Sequence, residues 1–143
     1  MKLSHFKLAI LLFSASFFSN CSKNNPNTVI PNVYVNIVLN INEPSSFELQ
    51  PIGGFIYVNG GSNGLIVYRT GLDQFNCYDR HSTYNVNDWC QVEVDAARFK
   101  LIDTCSSSEF SIFDGSVIKG PATIPLKQYP TTFDGTYISI TNQ

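Results

Sequence analysis

Val33, Val35, Ile37, Leu39 and Ile41 alternate with Tyr34, Asn36, Val38 and Asn40. A period of two is that of a strand with one face turned to a core. Phe47-Glu48-Leu49 reads as a short extended piece ending at Pro51. Phe55–Val58 and Leu65–Arg69 are β-rich runs separated by Gly60-Gly61-Ser62-Asn63-Gly64, the composition of a hairpin turn. Residues 75–78 form a further candidate strand. Val92–Val94 and residues 99–102 flank Asp95-Ala96-Ala97 as a second hairpin. Residues 109–113 run into the Asp114-Gly115 turn signal, with Val117-Ile118 after it, and Phe133, Asp134-Gly135 and residues 136–140 close the chain. No stretch beyond the N-terminal region sustains a helical period. Many short strands with glycine-rich turns predict an all-β fold, a small antiparallel sandwich or barrel.

The first twenty residues follow another logic. Lys2 and Lys7 precede the apolar run at residues 8–13, with Phe17 and Phe18 beyond it. A basic start and a short greasy stretch predict a secretory signal over residues 1–20, too short for a comfortable permanent span. Phe18-Ser19-Asn20-Cys21 stands where a bacterial lipoprotein carries its lipobox, although Phe18 and Asn20 depart from the strict pattern. Acylation of Cys21 would supply several chains, enough for stable anchoring to a membrane. Residues 21–32 are then a lipidated cysteine and a polar tether, and residues 33–143 the folded domain. The expected location is the bacterial cell envelope, facing the periplasm or the cell surface.

Processing changes the charge and the chemistry. The 143-residue chain has a formal net charge of −2, and loss of Lys2 and Lys7 leaves seven basic against eleven acidic residues, a net of −4. That balance argues against nucleic-acid binding. His81 is the one histidine left, and Cys77, Cys90 and Cys105 are the cysteines of the folded part. An oxidising compartment lets three thiols form one bridge and leave one over, most simply as a small buried hydrophobe.

Residues 108–126 carry a resemblance. Ser108-Glu109-Phe110, the Asp114-Gly115 turn, Gly120-Pro121-Ala122 and Pro125-Leu126 stand in the order and at the spacing of the second half of a Rieske iron–sulfur domain. Tyr129, Asp134-Gly135 and residues 138–140 resemble the family's closing strand pair, and residues 64–69 the strand that leads to its first cluster box. The resemblance spans about residues 50–140. It implies the Rieske fold, in which Cys-x-His and Cys-x-x-His boxes hold a [2Fe–2S] cluster. In this register the four ligand positions fall on Ser82, Tyr84, Asp103 and Ser106. With one histidine in the mature chain, a two-histidine, two-cysteine site within one molecule is excluded by counting. No cofactor is therefore expected, and a 2Fe-2S cluster or metal held by Cys77, Cys90, Cys105 and His81 is the alternative. The resemblance also implies a Cys90–Cys105 disulfide, with Cys77–Cys105 and Cys77–Cys90 the other pairings. Its closure of about fifteen residues would contribute on the order of 3 kcal/mol in the chain-entropy model.

Other candidates reduce to structure. His81, beside Asp79 and Arg80, reads as an exposed loop histidine, and Asp79 with Arg80 as an ion pair shaping that loop. Ser106-Ser107-Ser108 suggests no hydrolase nucleophile. Trp89, Tyr78 and Tyr84 are expected to fill the space a cluster would take. The expectation is a non-catalytic binding or accessory protein of the cell envelope, its protein partner unspecified.

Overall fold

The computed structural model describes residues 30–142. The expected signal segment, the lipidated Cys21 and most of the tether lie outside these residues. The first described residue, Ile30, is buried, and Lys127 Nζ donates to the carbonyl of Pro31 and to Asn32 Oδ1.

The strands in chain order are β1 (Asn36–Asn40), β2 (Phe55–Val58), β3 (Leu65–Arg69), β4 (Phe75–Asp79), β5 (Val92–Val94), β6 (Lys100–Asp103), β7 (Glu109–Ser111), β8 (Val117–Lys119), β9 (Gln128–Tyr129), β10 (Thr131–Phe133) and β11 (Tyr137–Thr141). They form three antiparallel sheets, ordered β1-β11-β10, β2-β3-β4-β9 and β5-β6-β7-β8. The β2–β3, β5–β6, β7–β8 and β10–β11 hairpins sit where the turn residues place them. The Phe47-Glu48-Leu49 piece is not extended: Pro44–Leu49 is a 3-10 helix with proline in its first turn, which needs no N–H there, and it drops Leu49 into the core. Pro44–Leu49 and Val86–Asp88 are the helical turns among the described residues.

The middle sheet is covered on both faces. Leu65, Val67, Cys77 and Tyr129 point into one core, shared with Val35, Leu49, Ile138 and Ile140. Ile66, Tyr68 and Tyr78, one residue out of phase, point into a second core shared with Val92, Leu101, Phe110, Ile112 and Leu126. This explains why residues 65–68 form an unbroken apolar run while β1 alternates: a strand buried on both faces has no polar side. Leu65, Ile66 and Val67 are each fully buried, worth about 1.5–3 kcal/mol apiece in transfer energy. The β5-β6-β7-β8 sheet thus rests on the rest of the molecule and holds out the loops that the resemblance singles out.

Candidate functional site

Two loops meet beside the β5–β8 sheet, one after β4 (residues 80–91) and one between β6 and β7 (residues 104–108). It is β4, not the β3 strand at residues 64–69, that runs directly into the first loop, because β3 and β4 are themselves a paired hairpin. A disulfide between Cys90 and Cys105 ties the loops together, with the Cα atoms 6.0 Å apart. Backbone bonds reinforce it: the Ser82 amide donates to the Cys90 carbonyl at 2.8 Å, and the Thr104 amide to the Gln91 carbonyl at 3.1 Å.

Asp103, at the end of β6, is the hub between the loops and is buried. Its Oδ2 accepts from the hydroxyls of Ser82 at 2.7 Å and Ser106 at 2.5 Å, and its Oδ1 from the Cys105 amide at 2.9 Å. Ser82 Oγ in turn accepts the Tyr84 amide at 3.1 Å. With the Ser106 proton spent on Asp103, the Ser108 hydroxyl donates to Ser106 Oγ across 2.8 Å and accepts the Ala122 amide at 2.9 Å. The Gly120-Pro121-Ala122 loop is thereby fastened to the second loop, while the Thr83 hydroxyl donates to the Ile124 carbonyl at 2.6 Å. Ser82 is thus brought into one network with Asp103 and Ser106, more than twenty residues away at the second loop. Tyr84 joins through its amide, and its side chain packs against the second core.

Three expectations are corrected here. His81 is not an exposed loop histidine: it is fully buried and stacked on Trp89, ring centroids 4.7 Å apart. Its Nε2 faces the Val86 carbonyl at 2.7 Å and so carries the proton, leaving Nδ1 to accept the Ser62 hydroxyl at 2.8 Å. Asp79 and Arg80 do not form an ion pair, because they point to opposite sides of the strand end. Asp79 is buried, its Oδ2 accepting the Ser62 amide at 2.7 Å and the Tyr129 hydroxyl at 2.8 Å, its Oδ1 the amides of Asn63 at 3.1 Å and His81 at 2.9 Å. Arg80 instead covers the Tyr57 ring at 4.1 Å and reaches Glu93 at 3.5 Å. Trp89 fills no cluster space, being 57% exposed with only one face on His81. Tyr78 is a true filler, its hydroxyl donating to the Ile112 carbonyl at 3.1 Å, and burial holds its phenol well above the ordinary range.

The leftover thiol, Cys77, lies in the first core, where burial and then the Asp79 charge push it far up, so it is no nucleophile. The Asp79 and Ser62–His81 arrangement was missed at the level of sequence. Its signal was the Gly60-Gly61-Ser62-Asn63-Gly64 turn, whose Ser62 and Asn63 amides both donate to Asp79; Gly61, at φ +59°, comes so close that an added Cβ would lie 2.5 Å from Asp79 Oδ2.

The structure was compared with solved proteins. The cyanobacterial plasma membrane Rieske protein PetC3 from Synechocystis PCC 6803 matches with a TM-score of 0.57 and 27% identity, over 76% of this chain and 99% of that one. The chain has a Rieske-like domain. The ferredoxin of carbazole 1,9a-dioxygenase from Nocardioides aromaticivorans IC177 shares the fold, with a TM-score of 0.51 at 15% identity over 78% of this chain and 100% of its own. No protein-family model matches the chain, and no curated protein does.

The ligand set of a Rieske cluster does not fit these loops. In the register of the sequence resemblance its four positions fall on two hydroxyls, a carboxylate and a phenol, with neither thiolate nor imidazole among them. Among the described residues no buried side-chain nitrogen or oxygen lacks a hydrogen-bond partner, so the network has no orphaned donor turned toward a metal. His81, the histidine among the described residues, has both ring nitrogens engaged. The domain is Rieske-like in frame and degenerate at its cluster site.

Proposed function

We propose that this protein is an exported lipoprotein, held to a bacterial membrane by acyl chains on Cys21, whose Rieske-like domain binds a protein partner in the cell envelope and carries no electrons and no cofactor. The observation that carries this reading is the Ser82–Asp103–Ser106 network. A buried carboxylate with its hydrogen bonds satisfied by neighbouring hydroxyls and an amide occupies the ligand positions, and a disulfide locks the two loops around it. Such an arrangement ties the loops together without a metal, which pre-organises them for docking. No helix among the described residues is long and apolar enough to cross a membrane.

Protein isolated from an oxidising compartment tests it. We expect a colourless product without iron or acid-labile sulfide, and no Rieske-type electron paramagnetic resonance signal. Stoichiometric iron with such a signal would overturn the reading. Incorporation of a labelled fatty acid by the wild type and its loss in Cys21→Ser test the anchor, and a wild type that takes up no label refutes it.

A further inference from the structure

The same loops place a second chemistry under the disulfide. Cys90, Asp103 and Cys105 each offer a ligand atom, and these atoms lie within 4.8 Å of one another. We propose that reduction of the Cys90–Cys105 disulfide turns these three residues into a site for a thiophilic divalent cation of the zinc and cadmium class. The site shares Asp103 with the Rieske ligand positions but takes both of its sulfurs from the bridge, and it does not depend on the lipid anchor.

The redox step balances with a dithiol as the reductant. A thiolate of the reductant attacks Cys105 Sγ, on the exposed member of the pair, and the S–S bond breaks. Cys90 leaves as a thiolate and takes up a proton, and the second thiol of the reductant resolves the mixed disulfide. Two electrons and two protons pass to the protein, leaving two protein thiols and an oxidised reductant. Binding of the dication then displaces the two thiol protons.

Geometry and charge both favour the ion. Two thiolates on one tetrahedral zinc stand roughly 3.8 Å apart, given Zn–S bonds of about 2.3 Å. Side-chain rotation supplies that spacing with the Cα atoms 6.0 Å apart. A dication compensates the negative charge that two thiolates and the Asp103 carboxylate would together place in one spot. The carboxylate is already oriented as a metal ligand is, by the Ser82 and Ser106 hydroxyls on Oδ2 and the Cys105 amide on Oδ1. Exposure of Cys105 gives the ion an entry path and leaves its fourth position to water.

The full chain, reduced with a phosphine without oxygen and equilibrated with cadmium alone, tests the proposal. One cadmium per chain with a thiolate-to-metal absorption band is expected for the reduced protein, and none for the oxidised protein or the Cys90→Ser, Cys105→Ser double variant. Asp103→Asn should weaken binding about tenfold or more, and Cys77→Ser should leave the stoichiometry unchanged. Reduced protein that takes up no cadmium overturns the proposal, as does undiminished binding by a folded Asp103→Asn or loss of binding in a folded Cys77→Ser. Circular dichroism reports the fold of each variant. Should Asp103→Asn not fold, single Cys105→Ser decides alone: it keeps Asp103 and must lose the absorption band.

Discussion

A carboxylate as buried as Asp79 persists because donors converge on it: the amides of Ser62, Asn63 and His81 and the Tyr129 hydroxyl. Those donors come from the β2–β3 turn, the end of β4 and β9, so one side chain fastens three elements. Replacement by asparagine turns one acceptor oxygen into a donor and leaves buried groups facing it. Asp79→Asn is therefore expected to cost about 2–4 kcal/mol in urea unfolding, the scale of buried charge-assisted hydrogen bonds. An unchanged midpoint would refute the hub. Gly61→Ala should act at the same place, since its Cβ would meet Asp79 Oδ2 at 2.5 Å and Leu65 Cδ2 at 2.8 Å with the backbone at φ +59°.

At the scale of elements, the β5–β8 sheet and its two loops depend on a small core and one covalent tie. Phe110 on β7 is fully buried among Val92, Leu101 and Ile112. Phe110→Ala should cost about 3–5 kcal/mol, read from denaturant midpoints, because few neighbours can collapse into the gap. Removing the bridge as Cys90→Ser, Cys105→Ser should cost on the order of 3 kcal/mol for a sequence separation of 15 residues. Faster amide exchange should follow first in residues 81–90 and 104–108, while the β1-β11-β10 sheet stays protected. Equal loss of protection in that sheet would show that the loops are not a separate unit.

For the whole molecule, ionisable groups bound stability at both ends of the pH scale. The Lys100 ammonium bonded to Glu109 holds that carboxyl below its ordinary 4.5, the Ser111 hydroxyl lowers Asp114 and the Tyr137 amide lowers Asp134 from 3.8. A depressed folded value means that the stabilisation is complete above the ordinary value and is lost as pH falls through the depressed one. Tyr78 and Tyr129 are the reverse case: burial raises both above the ordinary 10.0, and the bond to Asp79 raises Tyr129 further. Their stabilisation is complete below pH 10 and is lost as pH rises through the raised values. Urea midpoints should therefore fall below about pH 4 and again above about pH 10, with two phenols titrating only as the protein unfolds. A midpoint flat across the alkaline side would refute the assignment.

Local pattern alone determined much of this protein. The period of two at residues 33–41, the glycine-rich turns and the Asp-Gly signals located the strands and hairpins, because a strand's exposed and buried faces and a turn's dihedrals are demands on neighbouring residues. With the expected signal cleaved, one histidine remains where the Rieske ligand set needs two. Phe47-Glu48-Leu49 reads as extended although it lies in the Pro44–Leu49 3-10 helix, because three residues cannot show whether a buried leucine arrives on a strand or on a 3-10 helix. The exposure of His81 and Trp89, the separation of Asp79 from Arg80, and the meeting of Ser82 with Asp103 and Ser106 were decided only by tertiary structure. Each depends on which face of one segment meets another in space, and a hydroxyl or carboxylate carries no local mark of the partner it will find.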